Sequence, residues 1–221
     1  MDVNFELTRD VEITAKEAGA DFVGFADPVL YGRYPAWQQP AHFLENTQTV
    51  IVIGIHLFDI ILDAWCKDED EGRSYQFADE ILKSICHQVK AFLVENGHSA
   101  EVVPYGGILL KDSATLAGIG PIGKNNLLVT AEFGPRVRLR AIVTDAFLVH
   151  GTPVETSSYC QDCNSCIDAC PAGALVDGHY DVNACEPYQL GHLRALSPQT
   201  KIWCNACIDA CPVGKNHELF S

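Results

Sequence analysis

Eight of the ten cysteines fall in the last third of this 221-residue chain, and their spacing is its strongest chemical signal. Cys160, Cys163, Cys166 and Cys170 stand at C-x2-C-x2-C-x3-C, with Pro171 next. The phrase CIDACP, which covers Cys166–Pro171, returns at Cys207–Pro212. Aligning the two copies at an offset of 41 residues pairs Cys163 with Cys204, Cys166 with Cys207 and Cys170 with Cys211. Cys160 meets Lys201, and Cys185 lies between the copies. Three thiolates at x2 intervals wrap three corners of an iron–sulfur cubane, and the cysteine before proline leads away to ligate the other cluster. The spacing therefore predicts two four-iron clusters. Cys160, Cys163, Cys166 and Cys211 would hold one. Cys204, Cys207, Cys185 and Cys170 would hold the other, with Cys185 replacing the ligand missing at Lys201. The competing reading is zinc, which also takes four thiolates but needs no crossed fourth cysteine. Two leftover cysteines read differently: Cys86 as a buried apolar side chain and Cys66 as a free thiol beside a charge run.

The elements that must position this module come before it. Apolar residues at helical spacing predict one helix from Asn4 to Gly19 and a longer one from Ser74 to Asn96. Strands are expected at DFVGFAD, TVIVIGIHL, SAEVVPY and RVRLRAIVTDAFL. Between them lie a proline- and aromatic-rich loop, YGRYPAWQQP, and a charged loop from Lys67 to Arg73. The stretch from Asp112 to Thr130 reads as a short helix, a glycine-rich turn and a strand. Near His150 the composition shifts to proline, serine and threonine, then to cysteine. This places a boundary between a mixed α/β region, 1–150, and a small cysteine domain, 151–221, an α+β chain overall.

Composition limits the function classes. Nearly half of the residues are hydrophobic, which fits a folded globular chain. The formal net charge of −14 argues against direct nucleic-acid binding and fits docking to basic patches on redox partners, or simply solubility. The amino-terminal stretch has no apolar core of a signal peptide, and the longest apolar run is too short to span a bilayer. A cytoplasmic, reducing setting is expected, in which cysteines serve as metal ligands more readily than as disulfides.

The segment LAGIGPIGKNNLLVTAEFGPRVRLRAIVTDAFL, Leu116–Leu148, together with the cysteine spacing, resembles the cobalamin-binding core shared by epoxyqueuosine reductases and reductive dehalogenases. The resemblance implies a nitroreductase-like α/β domain over 1–150 that binds a corrinoid, followed by a bacterial-type two-cluster ferredoxin module. It implies cofactor contacts from Gly118, Gly120, Gly123, Asn125, Asn126, Leu127, Arg136 and Arg138. It further implies Lys124 as the basic catalytic residue, with Tyr105 or Asp112 as proton donor and Tyr75 a weaker candidate. Each has a plainer reading beside it. The glycines would also suit a tight helix–strand turn. Asp112 would also cap a helix, and the tyrosines would also be packed aromatics. Arg136, Arg138 and Arg140 alternate, so a strand would face them one way, toward corrinoid carboxamides or toward carboxylates of this acidic chain. Ungapped alignment places Pro104, not Asp112, at the position of the catalytic aspartate of epoxyqueuosine reductases.

The leading expectation is thus a corrinoid- and 4Fe-4S-dependent reductase. It would take electrons from a ferredoxin- or flavodoxin-like donor and reduce a small molecule or nucleoside. The alternatives are an electron carrier without corrinoid and a flavin-dependent reductase. A homodimer that closes the cofactor pocket is a further expectation, from size alone.

Overall fold

The structure is a computed structural model that describes residues 3–67, 74–176 and 179–215. In chain order the elements are α1 (Phe5–Glu17), β1 (Phe22–Ala26), β2 (Thr49–His56), β3 (Trp65–Lys67), β4 (Ser74–Gln76), α2 (Phe77–Glu95), β5 (Ala100–Val102), α3 (Leu110–Leu116) and β6 (Val137–Thr144). After these come α4 (Ser165–Asp168), β7 (Leu175–Val176), β8 (His179–Tyr180), α5 (Val182–Gly191), β9 (Arg194–Ala195), β10 (Thr200–Ile202) and α6 (Ala206–Asp209). The fold is mixed α+β. No described helix is long and apolar enough to cross a membrane.

Two compact units emerge, and the chain passes between them repeatedly. One unit takes Met1–Ile55, Ile81–Ile119 and Arg138–Glu155; the other takes His56–Glu80, Gly120–Val137 and Thr156–Ser221. The compositional break near His150 falls close to the last of these crossings. Composition gave no sign that two earlier segments join the cysteine-rich unit, because membership is decided by long-range contacts.

The first unit is built on a four-stranded sheet ordered β1-β2-β6-β5. β1 runs antiparallel to β2, with Phe22 opposite Gly54, and β5 antiparallel to β6, with Ala100 opposite Thr144. Every residue of β2 is buried, which is why its sequence is an almost unbroken apolar run rather than an alternation. α1 begins at Asn4, whose side chain accepts from the Leu7 N–H at 2.9 Å, and buries Leu7, Val11 and Ala15 at i, i+4 and i+8. α2 buries Leu82, Ile85, Cys86, Val89 and Leu93. The region expected as one loop, YGRYPAWQQP, folds as successive short 3-10 turns.

The second unit holds a small sheet ordered β4-β3-β10-β9, not foreseen from the sequence because each strand is only two or three residues long. It pairs Trp65 with Gln76 and Cys66 with Thr200. β4 also takes the first residues expected of the longest helix. Cys66 is accordingly a strand residue whose sulfur receives the Thr200 hydroxyl at 3.6 Å. Most of the expected charged loop lies outside the described residues. The strand expected after the glycine turn is instead two isolated bridges, Ile122 with Leu128 and Thr130 with Gly134.

Candidate metal and cofactor site

The two cysteine phrases fold alike. In each, an Asn precedes a single helical turn, α4 or α6, and the cysteine-proline pair follows it. One cavity is lined by Cys160, Cys163 and Cys166 from the first phrase and Cys211 from the second, with Lys124, Asn125 and Pro212 also on its wall. Burial raises the Cys166 thiol, and Cys160, Cys211 and Cys163 raise it further by like charge. Cys207 is pushed up to about 12, first by burial and then by Cys204, Cys166, Cys170 and Cys185. Burial and the neighbouring thiols thus disfavour the charged form of Cys166 and of Cys207. No group of three His, Cys, Asp or Glu among the described residues forms a ready site for a single ion. A cubane spreads its ligands over separate corners, so a cavity ringed by sulfurs is the arrangement it needs. Further contacts reach the sulfurs: the Ala174 N–H donates to Cys170 Sγ at 3.3 Å, and the Gln189 amide to Cys185 Sγ at 2.9 Å. Gln189 sits one turn after Cys185 on α5, the spacing that brings side chains onto one helix face.

The glycine turn runs directly into this site. A Cβ at Gly118, where φ is +78°, would meet the Thr152 carbonyl oxygen at 2.7 Å; one at Gly120 would meet the Val129 carbonyl oxygen at 2.5 Å. At both positions the space a side chain would need is taken by the chain's own backbone. Gly123 differs, because a Cβ there would lie 3.3 Å from Cys160 Sγ. The next residues close a tight turn. Asn125 is buried and its side-chain oxygen accepts from the Leu127 N–H at 3.2 Å, while Asn126 takes the left-handed conformation at φ +59°.

The cationic residues act in different places. Lys124 Nζ donates to the Asn164 side-chain oxygen at 2.9 Å, the Cys163 carbonyl at 3.1 Å and the Gln161 carbonyl at 3.4 Å. Arg136 donates to the Ile208 carbonyl at 3.1 Å, beside Cys207. Arg140 is buried in the first unit and donates to the Val103 carbonyl at 3.1 Å. Arg136 precedes β6, while Arg138 and Arg140 lie within it.

Tyr105 and Asp112 belong to the first unit, and Lys124 to the second. Tyr105 is exposed, with the Arg140 guanidinium 5.7 Å from its ring centre. Asp112 lies in the first turn of α3 but is not its N-cap, which is Leu109. Its carboxylate accepts from the Tyr34 hydroxyl at 2.9 Å, and that hydroxyl accepts from Arg33 at 2.7 Å. Burial, then the bonds to Arg33 and Asp112, leaves the Tyr34 phenol raised on balance. Tyr34 was missed in the sequence because nothing local joins it to Asp112, 78 residues away. Two more residues went unnoticed. Ser157 has a buried hydroxyl without a hydrogen-bond partner among the described residues. It lines a cavity of about 290 Å³ with Ile122, Gly123, Lys124, Asn126, Cys160 and Tyr180. Tyr180 is pushed up to about 12, by burial first and then by its bond to Cys185. Tyr75 lies in β4, where only its backbone pairing with Cys66 is described.

No family profile matches the chain. Among curated proteins it is 30% identical over 207 residues to the epoxyqueuosine reductase of Lactococcus garvieae, covering 89% of this chain and 56% of that protein. It is 34% identical over 106 residues to the tetrachloroethene reductive dehalogenase of Dehalobacter restrictus, covering 47% of this chain and 18% of that one. The chain spans about half the length of such epoxyqueuosine reductases. Among solved structures, an epoxyqueuosine reductase with a modified tRNA stem loop aligns with TM-score 0.72 at 22% identity, over 96% of this chain and 66% of its own. A catabolic reductive dehalogenase aligns with TM-score 0.69 at 18% identity, over 93% of this chain and 31% of its own. Sequence likeness to both groups, over a shared fold, shows that this chain belongs to the epoxyqueuosine reductase and reductive dehalogenase family.

Proposed function

We propose that the chain is a corrinoid-dependent iron–sulfur reductase whose electrons pass through two four-iron clusters to a substrate at the corrinoid. The observation that carries this reading is the cavity ringed by Cys160, Cys163, Cys166 and Cys211, three ligands from one phrase and the fourth from the other. That is the crossed ligation of a two-cluster ferredoxin module. When bound, the clusters supply one-electron transfer and the corrinoid supplies a strongly reducing cobalt centre. The eight cysteines hold the clusters, and Cys170 and Cys211 tie the two phrases together. The cavity beside Cys160 offers the unpartnered Ser157 hydroxyl and Asn126 to a polar carboxamide edge of the corrinoid. Tyr105 and Asp112, both in the first unit, are the candidate proton donors, and the Asp112 carboxylate accepts from the Tyr34 hydroxyl.

The substrate is a small molecule or a nucleoside. A relative that carries a tRNA stem loop means that a net charge of −14 does not exclude a nucleoside presented within RNA. A second reading, an electron carrier without corrinoid, is favoured by one observation: the backbone packing at Gly118 and Gly120 accounts for both glycines without a ligand.

The test is anaerobic reconstitution with iron and sulfide, addition of cobalamin, and electron paramagnetic resonance of the cobalt(II) state. The reductase reading expects a base-off cobalt signal that co-elutes with the protein. The unchanged base-on signal of free cobalamin would leave the carrier reading standing.

A further inference from the structure

The family resemblance implies Lys124 as the basic catalytic residue, and its hydrogen bonds point to a further role. An ammonium group has three N–H donors and no acceptor. Lys124 Nζ has three acceptors around it, and all lie on the loop that carries the first cysteines: Gln161 O, Cys163 O and Asn164 Oδ1. The same side chain forms part of the wall of the cavity beside Cys160. Arg136 makes a matching contact on the second phrase. One guanidinium nitrogen donates to the Ile208 carbonyl, and another is buried without a hydrogen-bond partner among the described residues. Its charge reaches Cys211. Both residues come from one segment, Gly120–Val137, and each holds a loop that supplies ligands to the first cysteine group.

We infer that Lys124 and Arg136 are positioning residues that clamp the two cysteine loops and bias the first four-cysteine group electrostatically. This rests on the reading that Cys160, Cys163, Cys166 and Cys211 hold a cluster. A cluster gains negative charge on reduction, and its potential follows net charge and the hydrogen bonds to its sulfurs. A nearby cation stabilises the reduced form by Coulomb attraction, so it raises the midpoint potential. The Ser165 hydroxyl at 3.4 Å from Cys163 Sγ acts in the same direction, while the Asp168 carboxylate opposes both. The second group has its own neutral donors, Gln189 to Cys185 and Ala174 to Cys170. Changes at Lys124 or Arg136 should therefore move one midpoint, and a change at Gln189 the other.

The experiment is a potentiometric titration, followed by electron paramagnetic resonance, of the full chain with reconstituted clusters and no corrinoid. Lys124→Gln and Arg136→Gln should each shift one of the two midpoints to more negative potential and leave the other in place. Lys124→Arg should restore the wild-type value, and Gln189→Leu should move the midpoint the first two leave alone. If Lys124→Gln halves the iron content and Lys124→Arg restores it, the clamp is supported through assembly. Full iron with both midpoints unmoved, equal movement of both, or loss of all iron would overturn the inference. A wild-type chain that takes up no iron and sulfide would instead refute the cluster reading beneath it.

Discussion

The ionisable side chains of this chain are governed by burial as much as by partners. Tyr31 is 1% exposed, and burial holds its phenol above the ordinary range, with Ser113 pulling partly the other way. The sign of its effect on stability follows directly. Above a pH of about 10 the unfolded chain ionises this tyrosine while the folded chain keeps it neutral. Its contribution is complete below about pH 10 and is lost as the pH climbs, at roughly 1.4 kcal/mol per pH unit. Urea unfolding at pH 8 and pH 11 should therefore show a smaller alkaline loss for Tyr31→Phe than for the parent. An equal loss in both proteins would mean that the phenol ionises as freely in the folded chain.

At the scale of elements, the cysteine loops are held by backbone pressed against backbone. Gly134 sits in a tight turn at φ +57°, closed by reciprocal bonds with Thr130, and a Cβ there would strike the Val213 carbonyl. Gly214, at φ +77°, faces the Phe133 and Gly134 backbone in return. Two glycine turns thus dock, one of them just after Cys211 and Pro212. Alanine in the left-handed region costs about 1–2 kcal/mol by itself, and displacement of a carbonyl adds to that. Gly134→Ala should lower the thermal midpoint and the iron content together. Retention of both would show that the turn can relax without moving the Cys211 loop.

For the molecule as a whole, interleaving matters more than the compositional boundary. Residues 156–221 carry the eight cysteines proposed to hold clusters, but their unit also includes His56–Glu80 and Gly120–Val137. Those segments supply β3, which pairs with β10, and the side chains of Lys124 and Arg136. Trp65 also stacks on Trp203, with ring centres 5.8 Å apart. A fragment of residues 151–221 should therefore bind less iron under reconstitution than the full chain, and should lose it faster on dilution. Equal retention by the fragment would make the cysteine domain self-sufficient.

The cysteine phrases, the buried β2 run and the periods of α1 and α2 were legible without any structure. Each is a local pattern in which spacing follows from the geometry of a helix, a strand or a ligand shell. The repeated phrase with its proline also led to the expectation that Cys211 joins the first phrase, and Cys211 lines one cavity with Cys160, Cys163 and Cys166. What the sequence could not show were relations between distant segments. Tyr34 meets Asp112, β3 pairs with β10, and Lys124 turns onto the Cys163 loop only once the chain has folded. The glycine turn belongs to the same class. Its glycines suggested close approach by some neighbour, and in the folded chain the Thr152 and Val129 backbone lies where a Cβ of Gly118 or Gly120 would stand. A glycine records only that something approaches closely, and the identity of that neighbour is a fact of tertiary structure.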